Sequence, residues 1–301
     1  MGCEICGKEP TYRLYQRGKI FCKEHFVEFF AGRVEDTIEK FSLFSRKDRI
    51  MVAVSGGKDS LVLLKVLRDL GYDVCAFHIN LGIGEYSDIS SRKFLDFVEN
   101  ERIPYTMVDV KSIMGAGIAD IAKKVKRPAC SVCGTIKRYL MDRYSKGYVV
   151  ATGHNLDDEV SFLFMNLFNW SLGYIKRQSP VLPEEHGFSR KVKPLSFIYE
   201  YETALYAFVN GIDYVLDECP LARGATTLDI KKALNTIECR IPDFKIRFFE
   251  TFINLKDKIK VEDKGDGELE LKPCVRCGYP TTTGVCLFCR IMEKVSNHPR
   301  G

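Results

Sequence analysis

Short apolar runs alternate with amphipathic segments through the middle of the chain. Ile50–Val54 is an apolar run typical of a buried strand, whereas Ser60–Leu70 repeats apolar residues at helical spacing. The same alternation predicts strands at Asp73–Ile79, Tyr105–Val110 and Tyr148–Thr152, and helices at Arg92–Glu101, Thr135–Lys146 and Asp157–Phe168. Buried strands that alternate with helices predict an α/β fold, in which a parallel sheet has helices on both faces. Such a sheet binds its ligand at the carboxyl ends of its strands.

The two flanks of this region have a mainly helical pattern. Apolar residues between Phe26 and Phe41 predict a helix over about residues 26–46, and its aromatic stripe is typical of core packing. After Gly211 the pattern predicts helices at Leu228–Asn235 and Phe244–Ile259. Residues 261–270 are polar and contain glycine, which predicts a linker.

Composition and charge limit the class of protein. The chain has 301 residues, of which 46% are hydrophobic and 28% charged, as in globular proteins. Its apolar runs are shorter than the roughly 18 residues of a membrane span, and the N-terminus lacks a signal-peptide pattern, so we expect a cytoplasmic protein without a membrane partner. The net charge of +5 fits a nucleic-acid partner without requiring one. The basic stretch Lys123–Arg127 is either a solvated loop or a contact to RNA phosphates.

Eight of the residues that commonly bind metals form two groups with zinc-like spacing. The first group is Cys3, Cys6, Cys22 and His25, and the second is Cys274, Cys277, Cys286 and Cys289. Close pairs of cysteine or histidine form the two sides of a tetrahedral zinc site, and without a secretion signal they indicate metal rather than disulfides. The sequence therefore predicts two structural zinc ions, one near each end of the chain.

A second candidate site follows the first predicted strand. The residues from Ser55 to Ser60 read Ser-Gly-Gly-Lys-Asp-Ser and open a helix. The glycines allow backbone amides to approach a polyanion, the helix N-terminus adds a partial positive charge, and Lys58 adds a cation. The string is not a Walker A loop, because it lacks that motif's spacing. It nevertheless predicts a phosphate-binding loop.

This loop resembles that of the PP-loop ATP pyrophosphatases, as does the string from Ala151 to Glu159 after another predicted strand. The resemblance implies a catalytic domain at residues 31–260 between zinc fingers at 1–30 and, after the linker, within 261–301. It implies binding of ATP and Mg²⁺, with Asp59 as a magnesium ligand. The acidic pair after Leu156 binds magnesium or orients the substrate, or else it caps a helix. The ATP-binding residues that we expect are Ala53, Ser55, Gly56, Gly57, Lys58, Asp59, Ser60, Ile79, Lys137, Gly153, Asp157 and Asp158.

Five cysteines lie outside the zinc groups. Cys75 and Cys239 are expected to be apolar fillers. Cys130, Cys133 and Cys219 are candidates for chemistry, because a C-x2-C pair can be a redox dithiol, half a zinc site or part of an iron–sulfur cluster. Three cysteines fit a [4Fe-4S] cluster with one iron left open. The residues alone leave these alternatives unresolved.

Together, these motifs resemble the TtcA/TtuA family of tRNA 2-thiolation enzymes over nearly the whole chain. Two terminal zinc groups place the resemblance with TtuA and the wobble-uridine thiolases of eukaryotes and archaea. It implies a [4Fe-4S] cluster on Cys130, Cys133 and Cys219, and catalytic roles for Lys137, Asp59 and Asp158. It also implies a tRNA substrate, a ubiquitin-like thiocarboxylated sulfur carrier and a homodimer.

The implied reaction is ATP-dependent adenylation of a tRNA uridine at O2, followed by replacement of that oxygen by sulfur. We expect 5-methyluridine 54 as the target, with wobble uridine 34 as the alternative. Within the same chemistry, Cys130 or Cys133 would instead carry a persulfide that Cys219 resolves. Two rival classes are a PP-loop ligase acting on a small molecule and a non-catalytic, zinc-dependent RNA-binding protein.

Overall fold

In a computed structural model, a six-stranded sheet lies at the centre of the molecule. The model describes residues 2–9, 12–14, 18–222, 226–258 and 271–296. The sheet has the spatial order β5-β4-β3-β6-β8-β7, and its strands are β3 (Arg49–Val54), β4 (Asp73–Asn80), β5 (Tyr105–Asp109), β6 (Val149–Thr152), β7 (Val181–Leu182) and β8 (Lys191–Val192). All neighbouring strands are parallel except β7, which pairs antiparallel with β8 at the edge.

The strand order reverses between β3 and β6. The chain moves from β3 outwards through β4 to β5, then returns to the other side of β3 to form β6. At such a reversal the connections leave the two central strands in opposite directions and open a crevice at their carboxyl ends. A ligand site is therefore expected directly after Val54 and Thr152.

Helices cover both faces of the sheet. They are α1 (Lys23–Lys40), α2 (Lys58–Asp69), α3 (Gly84–Asn100), α4 (Val110–Met114), α5 (Ile118–Val125), α6 (Ala129–Tyr144), α7 (Leu156–Phe168), α8 (Leu172–Arg177), α9 (Glu200–Val209), α10 (Thr226–Arg240), α11 (Phe244–Leu255) and α12 (Leu287–Ser296). Short 3-10 helices lie at Pro220–Ala222 and Lys256–Lys258. One apolar cluster packs α1, α2, α3 and α9 on one face of the sheet, and a second packs α5, α6 and α12 on the other.

The predicted α/β fold is confirmed, and the central elements differ from the expectation mainly at their ends. The helix expected at 26–46 begins earlier and ends earlier, at Lys23 and Lys40, and the one expected at Arg92 begins at Gly84. Within the central region, the strands β7 and β8 and the helices α4, α5, α8 and α9 were not predicted. Two-residue strands are too short to show a period, and they form only because β6 offers an edge to pair with.

Each end of the chain adds a small module. Strands β1 (Tyr12–Leu14) and β2 (Lys19–Phe21) form an antiparallel hairpin before α1, and β9 (Lys272–Pro273) and β10 (Pro280–Thr281) form another before α12. The division expected at residue 30 falls inside α1, and the linker expected at 261–270 lies outside the described residues. In the described ranges, no helix is both long and apolar enough to cross a membrane.

Candidate active site and metal centres

A cavity of about 420 Å³ opens at the carboxyl ends of β3, β4 and β6. Its wall contains most of the residues that the sequence predicts for nucleotide binding and catalysis: Ala53, Ser55, Gly57, Asp59, Ser60, Ile79, Cys133, Lys137, Gly153, Asp158 and Cys219. Four other predicted residues are absent from the wall: Gly56, Lys58, Cys130 and Asp157. The strand reversal thus brings together the phosphate loop after β3, the loop after β6, and the thiols of Cys133 and Cys219, which are far apart in the chain.

Hydrogen bonds from its serines fix the conformation of the phosphate loop. The Ser60 hydroxyl accepts from the Ser55 amide at 3.1 Å and donates to the Gly57 carbonyl at 2.9 Å, which ties the first turn of α2 to the end of β3. Gly56 has φ of +83°, and a Cβ there would lie 2.8 Å from the Ser90 carbonyl oxygen. The loop therefore requires glycine at this position for its backbone conformation and for the close approach of α3.

Gly153 lets β6 approach the phosphate loop. A Cβ on Gly153 would lie 2.8 Å from the Ser60 backbone nitrogen and 2.9 Å from the Asp59 carbonyl carbon. Neither backbone atom can turn aside as a side chain would. The second motif is therefore packed directly on the N-terminus of α2, and its glycine sets the width of the crevice.

Gly153→Ala is expected to weaken ATP binding by about tenfold, because the added methyl pushes the loop from its place. Isothermal titration with ATP measures the change. The matched control is Gly32→Ala in α1, where an added Cβ meets no atom within 4 Å. Equal ATP affinities for the two variants would contradict the packing argument.

Lys58 belongs to an ion-pair network rather than to the cavity wall. Its Nζ lies 2.8 Å from Glu200 Oε1 and 3.0 Å from Asp59 Oδ2, and Lys231 lies 2.8 Å from the other Glu200 oxygen. Burial disfavours the Lys58 ammonium, but the two carboxylates outweigh burial and hold the pKa of Lys58 above its ordinary value. Burial likewise opposes ionisation of Glu200, yet Lys58 and Lys231 lower the pKa of Glu200 to about 2. Lys58, Lys231 and Glu200 are therefore charged at neutral pH.

Asp157 and Asp158, the acidic pair after Leu156, make different contacts. Asp158 forms a capping box with Asn155, with amide-to-oxygen distances of 3.0 and 3.2 Å, and also accepts from Lys231 at 2.9 Å. Asp157 is buried beneath the site, where it pairs with Lys245 at 2.5 Å. Capping therefore accounts for the contacts between Asp158 and Asn155, while Asp158 also pairs with Lys231 and lines the cavity.

Lys231→Met is expected to lower the free energy of unfolding by about 1 kcal/mol, since Asp158 and Glu200 lose a cation in a partly buried network. Urea denaturation measures this change. Lys232→Met is the matched control, because Lys232 is the exposed neighbour on the same helix. If Lys231→Met were as stable as the control, the network would not stabilise the fold.

Two histidines in the cavity wall, the buried His78 and the half-buried His154, are neutral. Burial lowers the pKa of both His78 and His154. His78 Nδ1 lies 2.8 Å from the Val54 carbonyl oxygen, which can only accept, so Nδ1 carries the proton. Its Nε2 then accepts from Ser91 at 3.0 Å. These bonds fix the carboxyl ends of β3 and β4 against α3.

The unassigned cysteines lie on one side of the cavity. Cys133 and Lys137 sit one helical turn apart on α6, and Cys219 precedes the 3-10 helix at Pro220–Ala222. The exposed Cys130 thiol lies 3.6 Å from the Leu221 carbonyl oxygen, which joins the start of α6 to that 3-10 helix. An iron–sulfur cluster binds each thiolate to a different iron. Cys133 and Cys219 in the cavity wall, with Cys130 beside the 3-10 helix that follows Cys219, fit this group by their chemistry.

The two terminal groups have the dimensions of single-ion sites. Among the described residues, each group keeps its four ligand atoms within 4.8 Å of one another. The Cys6 and Cys22 sulfurs are 3.9 Å apart, and the Cys277 and Cys286 sulfurs are 3.7 Å apart. Tetrahedral zinc with Zn–S near 2.3 Å separates two sulfurs by about 3.8 Å, whereas a disulfide needs about 2.05 Å. Both groups therefore suit zinc.

The C-terminal module also supports the cavity. Phe288 stacks on Tyr139 of α6 with ring centroids 3.7 Å apart, and the Tyr279 hydroxyl donates to Asp142 of α6 at 2.7 Å. Burial and the Asp142 carboxylate both raise the pKa of Tyr279. Because α6 carries Cys133 at its other end, the module fixes the helix that presents the cavity cysteines.

Sequence reasoning missed several residues that shape the site. Asn155 was detectable, because Asn-x-x-Asp before an apolar run is a capping signal. Glu200, Thr203 and Lys231 had no such signal. Thr203 and Asn155 both donate to Asp59 Oδ1, and Glu200 and Lys231 complete the charge network. Glu200 and Thr203 come from α9 and Lys231 from α10, far along the chain from the phosphate loop.

Comparison with known protein families gives a match over most of the fold. A family model described as PP-loop domain matches residues 30–222. The tRNA-5-methyluridine(54) 2-sulfurtransferase of Pyrococcus horikoshii is 41% identical, over 96% of this chain and 93% of that protein. The protein of the same name from Thermus thermophilus is 42% identical, over 98% of this chain and 92% of its own length.

A solved structure matches the whole arrangement. The U34-tRNA thiolase NcsA from Methanococcus maripaludis, determined with its [4Fe-4S] cluster, superposes with a TM-score of 0.81 and 26% identity. The match covers 97% of this chain and 96% of that one. Sequence and structure therefore agree on the same group of proteins.

Proposed function

This chain belongs to the PP-loop family of tRNA 2-thiolation enzymes, and on that premise we propose that it is an ATP-dependent tRNA-uridine sulfurtransferase. Its substrate is 5-methyluridine 54 of tRNA, which it converts to the 2-thio form with release of AMP and pyrophosphate. The observation that carries the proposal is a single cavity lined both by a phosphate loop and by Cys133 and Cys219. A ligase acting on a small molecule would leave those cysteines unexplained.

The first step activates the base. The uridine O2 attacks the α-phosphorus of ATP, and pyrophosphate leaves. Amides of the loop from Ser55 to Ser60 and the N-terminus of α2 bind the phosphates, and Lys58 exchanges its carboxylate partners for phosphate oxygens. Asp59, which lines the cavity beside Lys58, would hold Mg²⁺, which would neutralise charge on the phosphates.

The second step replaces oxygen with sulfur. A sulfide-level nucleophile attacks C2 of the adenylated base, and the C2–O2 bond breaks as AMP departs with the oxygen. A [4Fe-4S] cluster on Cys130, Cys133 and Cys219 would supply an open iron position that holds the sulfur before transfer. Lys137, one turn along α6 from Cys133, lies where its ammonium can stabilise negative charge on the base.

Two zinc ions complete the proposed cofactors. The terminal cysteine groups have the donor set and spacing of closed structural sites, which have no open coordination position. We assign them a structural role, in which they hold the terminal modules against α1 and α6. The sulfur carrier, a ubiquitin-like protein ending in a thiocarboxylate, and the homodimer stay predictions from the family resemblance.

The preference for position 54 rests on how similar this chain's sequence is to relatives named for each position. Two relatives named for 5-methyluridine 54 are 41% and 42% identical to this chain. The structure of NcsA, named for U34, is 26% identical. The higher identities support 54 over the wobble position, which stays the alternative target.

Position-mapped mass spectrometry of tRNA nucleosides tests the function. The protein is purified anaerobically, supplied with iron and sulfide, and incubated with ATP and a tRNA that carries 5-methyluridine at position 54. We expect 2-thio-5-methyluridine at position 54, only when ATP is present. Sulfur at position 34 would favour the alternative target, and tRNA that is bound but never thiolated would favour the non-catalytic RNA-binding class.

A further inference from the structure

Three large exposed aromatic side chains lie close together in the chain at the end of α7, in the turn that follows and in α8. Phe168 is 71%, Trp170 76% and Tyr174 68% exposed, although such side chains are ordinarily buried. We call the surface formed by Phe168, Trp170, Tyr174, Lys176 and Arg177 the aromatic–basic patch. Clustered exposed aromatics of this kind mark an interaction site.

Backbone hydrogen bonds define the conformation of the turn at the patch. Trp170 has φ of +48°, a left-handed conformation that is uncommon for a bulky residue. It is held by amide-to-carbonyl bonds from Trp170 to Leu167 at 3.1 Å and from Ser171 to Asn166 at 2.9 Å. The chain therefore accepts strain at Trp170, and the result is an indole that faces solvent.

The charge of this surface is positive. Residues 160–183 contain no aspartate or glutamate, and Lys176 and Arg177 are both exposed. The Arg177 guanidinium carbon lies 5.8 Å from the centre of the Tyr174 ring. The 3-10 helix at Lys256–Lys258 packs against α8 and adds two lysines with Asp257 between them. Cations beside open aromatic faces suit a polyanion with unpaired bases.

The helix α7 runs from the cavity to the patch. Asp158 near its start lines the cavity, Phe162 one turn further along the same face is exposed, and Phe168 at its end belongs to the patch. The Phe162 ring lies 6.1 Å from His154, another cavity residue. Ten residues of α7 separate Asp158 from Phe168, which corresponds to about 15 Å. A macromolecule that inserts a base into the cavity can therefore reach the patch.

We propose that the aromatic–basic patch binds the tRNA substrate, with Trp170 stacking on an unpaired base and Arg177 pairing with phosphate. The proposal rests on the proposed function and adds a second contact surface to it. A second copy of this chain is the less favoured occupant. If the two-fold axis of a dimer passed through the patch, the two copies of the patch would face each other and bring like charges together.

Trp170 is the sole tryptophan of the chain and so reports on its own environment. Titration with a tRNA transcript, corrected for RNA absorbance, is expected to quench the protein's tryptophan fluorescence, whereas a blunt RNA duplex of equal length quenches it less. Fluorescence that does not change while filter binding shows tRNA bound would overturn the proposal. Thiolation activity is measured on the same preparation, so that loss of the proposed function is detected separately.

Variants then test the energetic role of the patch. Trp170→Ala is expected to raise the tRNA Kd and KM by about tenfold with the ATP KM unchanged, as loss of one base stack predicts. Trp170→Phe retains a stacking ring and should restore most of the affinity. Phe208→Ala is the matched control, because Phe208 on α9 is also 76% exposed.

The dimer alternative has its own signature. If Trp170→Ala leaves tRNA affinity unchanged but converts a dimer to a monomer in analytical ultracentrifugation, the patch is a subunit interface and the proposal is wrong. If Trp170→Ala and Phe208→Ala weaken tRNA binding equally, the effect is not specific to the patch and the proposal is also wrong.

Discussion

Cys133→Ser is expected to abolish tRNA thiolation while leaving ATP binding intact. Cys133 lines the cavity on α6, one turn before Lys137, and the phosphate loop lies on β3 and α2. A serine hydroxyl is a poor ligand for iron and cannot carry sulfur, so the sulfur step is lost whereas the loop keeps its conformation. Nucleoside mass spectrometry measures the first effect and calorimetry with ATP the second.

The control for Cys133→Ser is Cys239→Ser. Cys239 is exposed on α10 and belongs to neither terminal metal group. We expect Cys239→Ser to keep full activity and full iron content, and Cys133→Ser to lose iron without losing zinc. Wild-type protein that thiolates tRNA without iron would contradict the cluster and favour a persulfide. A Cys133→Ser variant that still thiolates would remove Cys133 from the mechanism.

Loss of the C-terminal zinc is expected to have the largest effect on stability. Cys286 is 1% exposed and lies in the same apolar cluster as Ile136 and Leu140 of α6. Cys286→Ser should release one zinc ion and lower the melting temperature by roughly 10 °C, because metal binding contributes to folding outright. Activity should also fall, since α6 loses its contacts with Phe288 and Tyr279.

The matched comparison is Cys6→Ser, which removes a ligand from the N-terminal group. That module adjoins α1, which Arg33 and Phe30 join to α9 rather than to α6. Both variants should lose one zinc by elemental analysis, but Cys6→Ser should retain more activity at a temperature where both are folded. Equal activity losses would argue against a specific role of the C-terminal module in positioning α6.

Much of the fold followed from local pattern. The strands at residues 49–54 and 73–80 are apolar because both faces of a parallel sheet are covered there, and that composition is visible in the chain, whereas the edge strand at 105–109 is largely exposed. The expected parallel α/β sheet is confirmed. The edge strands β7 and β8 were not predictable, because two residues carry no period and their pairing depends on β6.

The residues of the candidate site also fall into those that the sequence identified and those that only the structure revealed. The phosphate loop was identifiable because its glycines and lysine are contiguous in the chain. The partners of Lys58 were not, since Glu200 and Lys231 lie on helices that pattern alone cannot bring to the loop. Nor could the sequence separate Asp157, buried against Lys245, from its neighbour Asp158, which lines the cavity.

The sequence by itself determined which residue types are available: a phosphate loop, two four-ligand metal groups and three further cysteines. Their chemistry is local, because ligand pairs and loop glycines act over a few residues. Only the tertiary structure decided which of them share a cavity, how the C-terminal module supports α6, and that Trp170 faces solvent beside Arg177. Those outcomes depend on long-range packing, and residues that are distant in the chain are brought into contact only when the sheet and its helices assemble.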